Sequence, residues 1–221
     1  MIDSRAFRSL SCGMYIIGAR SADGRAGCVV NTFAQVASQP TRATVAVNKD
    51  NHTAQVICES GYYTVSVLDD GAPLEFIQLF GFRSSAEIDK FAHAGFATDA
   101  HGIPYATDYA CARFSVRVDH IEDASTHLLF LGTVEQAELL SAETPMTYAF
   151  YHQVKGGKTP PRASTYDPNT DSAEPAPTGF AGTVAWRCRI CGHIEYVEEL
   201  PEGYICPVCG ASKDAFERIE L

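Results

Sequence analysis

The sequence predicts a mainly β protein: a β-barrel with helical insertions, followed by a small domain built on a four-cysteine metal site. Three observations predict it. β-Branched and apolar runs recur through the first 140 residues with few helical stretches between them. A polar stretch holding five prolines then interrupts all periodicity between Thr159 and Thr183. Two C-x-x-C-G knuckles follow, Cys188-Arg-Ile-Cys191-Gly192 and Cys206-Pro-Val-Cys209-Gly210.

The strands come first. Residues 27–36, 43–47 and 62–68 are rich in Val, Thr, Tyr and Phe. Residues 112–121 alternate, with Arg113, Ser115, Arg117 and Asp119 on one side and Phe114, Val116 and Val118 on the other. Residues 127–139 read as a further long strand, bent at Gly132. Three helices interrupt them. One follows the N-cap Asn51 and stops before Gly61, where glycine provides a left-handed cap. A second covers 73–80 with proline in its first turn, and a third runs from about Ser85 to Ala94. The three-part organisation expected is a barrel over 1–158, a flexible linker over 159–183 and a metal domain over 184–221. A flexible chain of 25 residues reaches roughly 25–30 Å root-mean-square.

The knuckles place four thiolates, Cys188, Cys191, Cys206 and Cys209, at one point, as a tetrahedral metal site requires. The glycine after each second cysteine is suited to φ > 0, so the chain turns back on itself. Cysteines at i, i+3 are awkward disulfide partners, which disfavours the disulfide reading. Four-thiolate sites host iron or zinc, and the spacing does not choose between them. The other cysteines, Cys12, Cys28, Cys58 and Cys111, sit among apolar neighbours and read as small buried hydrophobes.

A formal net charge of −10 argues against a nucleic-acid partner, which would need clustered Lys and Arg. No run of eighteen apolar residues suggests a membrane span, and the N-terminus does not read as a signal peptide. With the cysteine usage, this points to a reducing cytoplasm. Residues 184–221 hold four basic side chains against seven acidic ones, so a metal carrier there would suit a basic patch on a partner, or is simply soluble.

Asn31, Thr32, Gln35 and Ser38 interrupt an apolar segment, and buried polar groups need partners such as a heteroaromatic ligand. Downstream, Asn48-Lys49-Asp50-Asn51-His52-Thr53 opens a helix. A helix N-terminus beside lysine and hydroxyls suits a phosphate, and it equally suits a cap with solvated charge.

Around the knuckles, Trp186-Arg-Cys188 and Tyr204-Ile-Cys206-Pro-Val-Cys209-Gly-Ala-Ser-Lys-Asp-Ala-Phe216 closely resemble rubredoxin, a one-iron electron carrier. The fourteen residues between Cys191 and Cys206 are fewer than in free-standing rubredoxins and fit the short versions fused to other redox domains. A zinc ribbon is the competing reading. Upstream, Asn31-Thr-Phe-Ala-Gln-Val-Ala-Ser-Gln-Pro40, Val47-Asn-Lys-Asp-Asn-His-Thr53, Leu79-Phe-Gly-Phe-Arg-Ser-Ser85, Asp89-Lys-Phe91 and Pro145-Met-Thr-Tyr-Ala-Phe-Tyr-His152 resemble the flavin reductase family with its FMN-binding split barrel. The combination resembles the fusions called high-molecular-weight rubredoxins, NAD(P)H-oxidising electron donors to flavodiiron proteins.

That resemblance implies a homodimer binding FMN. Asn31, Thr32, Gln35 and Ser38 would face the ring and ribityl chain. Asn48, Lys49, Asn51 and Thr53 would hold ribityl hydroxyls or phosphate, and Arg83, Ser84 and Lys90 are further phosphate candidates. His152 would lie near the flavin or nicotinamide. Electrons would pass from NADH or NADPH through FMN to iron and on to a protein acceptor such as a flavodiiron oxygen or nitric oxide reductase, with no protein acid, base or nucleophile required. No G-x-G-x-x-G loop occurs, so the residue test that separates NADH from NADPH in Rossmann folds has nothing to act on. Two other classes compete: a free flavin reductase with an appended domain, and a non-enzymatic flavin-binding barrel with a zinc-ribbon docking module.

Overall fold

A computed structural model describes residues 4–155, 159–160, 163–166, 184–190, 193–207 and 210–220. They fall into two units, one spanning Arg5–Gly157 and the other centred on Lys158–Leu221. The stretch read as a linker, 159–183, lies mostly outside the described residues.

The first unit carries strands β1 (Tyr15–Ser21), β2 (Gly24–Val30), β3 (Ala34–Ser38) and β4 (Thr41–Asn48), helix α1 (His52–Ser60), strand β5 (Tyr62–Leu68) and helix α2 (Leu74–Phe82). The short β6 (Phe96–Thr98) and β7 (Pro104–Ala106) follow, then the long β8 (Ala110–Ala124) and β9 (His127–Leu139), and helix α3 (Tyr148–Gln153). Among the described residues, seven strands form one sheet in the order β2-β1-β5-β8-β9-β4-β3. Every pairing in it is antiparallel.

The order of this sheet forces its shape. β2 and β3 lie at its two opposite edges, yet only Asn31, Thr32 and Phe33 separate them. Four residue steps span at most about 14 Å, so the sheet must curl until its edges approach, and the result is a barrel with a seam at residues 31–33. Thr32 extends the β3–β4 pairing into this connection: its hydroxyl donates to Ala46 O at 2.7 Å and accepts from Ala46 N at 3.2 Å. The single strand expected over 27–36 is therefore two strands on opposite edges, because the Thr32 side chain replaces the backbone ladder there.

Ile17, Cys28, Val45, Val47, Tyr63, Val65, Val116 and Phe130 fill one core, with Ala54, Val56 and Ile57 of α1 packed among them. Helix α1 has the predicted bounds. Asn51 Oδ1 accepts from Thr53 N at its start, and Gly61 ends it at φ 69 with its N–H on Ile57 O. A second core joins Ile16 and Leu68 to Phe76, Ile77 and Phe80 of α2 and to Met146 and Tyr151. β7 is bound to the sheet through side chains. Thr64 Oγ1 donates to Pro104 O at 2.5 Å and Ser66 Oγ to Ala106 O at 3.0 Å. Gly18 makes room for it, since a Cβ there would stand 1.9 Å from Pro104 O. The bend expected at Gly132 corresponds to register shifts on β8 between Ser115 and Val116 and between Val118 and His120.

The third expected helix, 85–94, does not form. Ser84 Oγ accepts from Ala86 N, and Asp89 Oδ1 accepts from Phe91 N to cap a 3-10 turn over Lys90–His93. Side chains competing for backbone donors break the helix into two turns.

The second unit holds β10 (Val184–Cys188), β11 (Ile194–Glu195) and β12 (Phe216–Glu220), paired antiparallel in the order β11-β10-β12. Val184, Ala185, Ile194, Leu200 and Phe216 are buried in it. Arg187 pairs with Glu217, and Tyr204 packs edge-on against Phe216 at 5.4 Å. No helix among the described residues is long and apolar enough to cross a membrane.

Candidate functional site

The barrel seam gathers most of the polar residues singled out in the sequence. Asn31 is buried at the end of β2, and Thr32 is bound to Ala46. Gln35 and Ser38 lie exposed on the edge strand β3, where Gln35 Nε2 donates to Ala37 O at 3.3 Å and Ser38 O accepts from Thr41 Oγ1 at 3.0 Å. β3 pairs with β4, so this group stands next to the strand that delivers Asn48 and Lys49 to the start of α1.

At that helix start the cap is formed. The Asn51 side chain accepts from Thr53 N, and Asn51 O accepts from Ala54 N, so these two amides of α1 are already engaged. Asn48 Oδ1 accepts from Asp50 N at 2.9 Å. Lys49 is ion-paired to Asp123 at 2.5 Å, and its backbone N–H donates to Thr126 O in the β8–β9 turn. The Lys49 ammonium holds the Asp123 carboxyl below its ordinary range, with a further contribution from Ser125 N. Thr53 is fully buried, and its hydroxyl lies against the buried Cys28 thiol, whose pKa it lowers against the larger effect of burial.

A second polar group lies at the other edge of the sheet. Arg83 is exposed at the C-terminal cap of α2 with extended backbone, and among the described residues it takes no ion-pair partner. Ser84 is half-buried beside it. Lys90 corrects the expectation. It is 3% exposed, and its ammonium donates to Gly27 O at 2.8 Å and Phe80 O at 2.9 Å. Burial lowers its pKa to about 8, Cys28 and Glu87 oppose the shift, and Arg83 adds to it. This lysine is fixed on backbone carbonyls rather than presented to a phosphate. Sequence reasoning missed Ser85, whose hydroxyl accepts from Gly27 N at 3.0 Å and donates to Gly27 O at 3.1 Å. It also missed Asp123, which lies far along the chain from Lys49 and has no local signature.

His152 sits on α3, half-buried between aromatic rings: 4.4 Å from Tyr148 at 87° and 5.1 Å from Tyr151 at 67°. Edge-on contacts of this kind fix the imidazole plane.

In the second unit, Cys188 ends β10 and Cys206 lies at the Ile205–Ser212 bridge, each 1% exposed. Cys188 N donates to His193 O, and Cys206 N to Ala211 O, both at 2.8 Å. Gly210 takes φ 71 and returns its N–H to Cys206 O, the turn its position after the knuckle predicts. Cys191, Gly192 and Cys209 lie outside the described residues. Two buried thiols beside tight turns fit a thiolate site. Of the remaining cysteines, Cys28 and Cys111 are buried as expected, but Cys58 is exposed and Cys12 half-buried. Burial is also the main cause that pushes the Cys28 thiol pKa up.

Comparison with known proteins matches this arrangement. Residues 7–157 match the flavin reductase like domain, and residues 186–217 the rubrerythrin, rubredoxin-like domain. The chain is similar to the high molecular weight rubredoxin of Moorella thermoacetica, 38% identical over 99% of this chain and 100% of that one. It is similar to the ferric-chelate reductase (NAD(P)H) of Archaeoglobus fulgidus, 40% identical over 75% of this chain and 98% of that one. Among solved structures, the NADH:FAD oxidoreductase of Streptomyces globisporus shares the fold, with TM-score 0.59 and 22% identity over 65% of this chain and 84% of that one. The chain therefore belongs to the flavin reductase family, with a rubredoxin-like domain in the same polypeptide.

Proposed function

We propose that the chain is an NAD(P)H-oxidising electron-transfer protein that uses FMN and one iron. In this reading residues 1–158 form the FMN-binding barrel and act as a homodimer, 159–183 tether, and 184–221 carry the iron. The observation that supports it is the presence of a flavin reductase-like and a rubredoxin-like match in one chain, together with a relative similar to it from end to end. Bound FMN would supply a centre that accepts hydride from the nicotinamide and releases electrons singly. Iron held by Cys188, Cys191, Cys206 and Cys209 would supply a one-electron carrier.

The protein's own residues bind and orient. Asn31, Gln35 and Ser38 at the seam offer amide and hydroxyl groups to a ring rich in nitrogen and oxygen. Asn48 and Lys49 at one end, and Arg83 and Ser84 at the other, offer cations and polar groups to the ribityl chain and phosphate. Thr32 and Asn51 act indirectly: one anchors the β2–β3 connection to β4 and the other caps the helix. The rings of Tyr148 and Tyr151 hold His152 in one plane for a flavin or nicotinamide contact. The tether replaces a bimolecular collision with a high effective concentration of the iron domain near the flavin. The acceptor would be a protein with a basic docking patch, such as a flavodiiron protein, in a reducing cytoplasm.

A second reading has its own support. The ferric-chelate reductase of Archaeoglobus fulgidus is matched over nearly its whole length by only 75% of this chain. A protein that lacks an equivalent of the remainder carries that name, so the first unit could act alone on an external acceptor. Cys209→Ser separates the two. It should abolish iron absorption and delivery to a flavodiiron partner while flavin binding and flavin reduction stay intact. Full partner turnover by the variant would refute the iron path and favour the second reading.

A further inference from the structure

The second unit holds a hydrogen-bonded trio of side chains that the electron-transfer reading leaves unused: His193, Glu195 and Tyr204. The Tyr204 hydroxyl donates to Glu195 Oε2, and His193 Nε2 meets the same oxygen at 3.3 Å. Glu195 lies on β11 and His193 just before it, on the chain that leaves the first knuckle. Tyr204 lies on the chain that enters the second, two residues before Cys206. The trio therefore links the two halves of the thiolate site. Backbone and packing hold it close to the thiols. Cys188 N donates to His193 O at 2.8 Å, and Glu195 pairs with Trp186 across the β10–β11 ladder. Tyr204 packs edge-on against Phe216, which pairs with Cys188 across β10–β12. Burial first, then Glu195, Cys206 and Cys188, push the Tyr204 phenol pKa up, so both thiols lie within electrostatic reach of that phenol.

What the trio presents is a held negative charge. Among the described residues no lysine or arginine pairs with Glu195. Arg187 is taken by Glu217, Arg189 by Asp214 O and Lys213 by Leu200 O. The Tyr204 proton goes to the carboxylate, so this hydroxyl is not spent on a sulfur. Reduction of a ferric four-thiolate site breaks no bond. It adds one electron to a group that is already an anion. A negative charge held nearby opposes that step, since net charge and hydrogen bonds around the sulfurs set such potentials. Glu195 is anchored by two side chains, whereas Glu198, Glu199 and Glu202 are exposed and screened by water and salt.

We propose that Glu195, aimed by Tyr204 and His193, lowers the reduction potential of the iron centre, so that the reduced centre gives its electron to the acceptor more readily. This rests on the reading of the second unit as an iron carrier. Tyr204 is a positioning residue: it acts through Glu195 and does not itself touch the metal.

The test is a redox titration of the full iron-loaded chain at one fixed pH, read by the ferric thiolate absorption. Glu195→Gln removes the charge and keeps an oxygen for Tyr204. It should favour the reduced form about tenfold, equivalent to a rise of about 59 mV for one electron. Glu195→Asp keeps the charge and should stay within about twofold of the wild type. Tyr204→Phe frees the carboxylate to turn into water and should shift the equilibrium in the same direction as Glu195→Gln. The double variant Tyr204→Phe/Glu195→Gln should shift it no further than Glu195→Gln alone, because Tyr204 has no charge left to aim. Glu198→Gln, which removes an exposed charge from the same unit, should shift it by less than about twofold. Additive shifts in the double variant would mean that Tyr204 acts on the centre directly and would overturn the proposal. An unchanged or lowered potential in Glu195→Gln, or an equal shift in Glu195→Asp or Glu198→Gln, would overturn it too. If Glu195→Gln does not bind iron, Tyr204→Phe carries the same comparison, and no shift there overturns the proposal. Iron-loaded wild-type chain without ferric thiolate absorption would refute the iron reading itself, whereas normal absorption with unaltered potential in the variants refutes the role of Glu195 alone.

Discussion

Lys90 shows how far a residue's type falls short of its role. The sequence marks a lysine beside Arg83 and Ser84, and its charge suggests a phosphate ligand. Its partners, Gly27 O and Phe80 O, belong to distant segments that no local pattern announces. Burial gives a pH signature with a definite sign. The folded-state pKa is about 8 against 10.5 unfolded, so between these values the unfolded chain binds more protons. Stability should therefore rise with pH across that window, by at most about 3 kcal/mol at 1.36 kcal/mol per unit. Denaturant unfolding at pH 7.5 and 9.5 should show that rise in the wild type, and Lys90→Met should lose it. Cys28, Arg83 and Glu87 surround the ammonium, and the variants Cys28→Ala and Glu87→Gln serve as controls for their own titration. Lys49 is a different case. Its ammonium is half-exposed and already holds Asp123. A phosphate would displace that carboxylate, so Asp123→Asn should tighten FMN while Lys49→Ala weakens it, by about tenfold if one charge-assisted bond is lost. An unchanged dissociation constant in Lys49→Ala would assign the phosphate to Arg83 and Ser84 alone.

At the scale of elements, legibility followed locality. Helix α1 was readable to its ends because both signals, Asn51 and Gly61, are local and act on their own helix. β9 was readable because its apolar run lies between turn residues. β1 was passed over: Ile16, Ile17 and Ala19 make it a buried strand, but Gly18 in its middle dilutes the pattern. That glycine exists for a contact with Pro104, far along the chain. Gly18→Ala should accordingly destabilise the protein by about 1–3 kcal/mol or more, as overpacking against backbone does, and lower its thermal midpoint. Asn51→Ala should cost about 1 kcal/mol through the lost cap. A neutral result for Gly18→Ala would mean that β7 is free to move away from β1. The 85–94 segment misled for the opposite reason: its composition permits a helix, and its side chains find better partners on β2 and in their own turns.

For the whole molecule, the architecture was legible because two strong local signals, the strand runs and the paired knuckles, lie on either side of a proline-rich stretch. The barrel's closure was not, since it follows from sheet order, with β2 and β3 at opposite edges and three residues apart. The seam that results holds Asn31 and Thr32, the latter bound to β4, so the fold itself gathers half of the candidate site. The other half, Arg83 and Ser84, follows α2 beside the β2 edge that Ser85 and Lys90 hold. The central claim is that electrons run from nicotinamide through flavin to a four-thiolate iron. Anaerobic rapid mixing of the iron- and flavin-loaded chain with NADH or NADPH, followed by visible absorption, tests it most directly. The account predicts loss of the flavin band first and bleaching of the ferric thiolate band second, with the second phase absent in Cys209→Ser. Iron bleaching that precedes flavin reduction, or native protein that carries zinc and no iron, would contradict it.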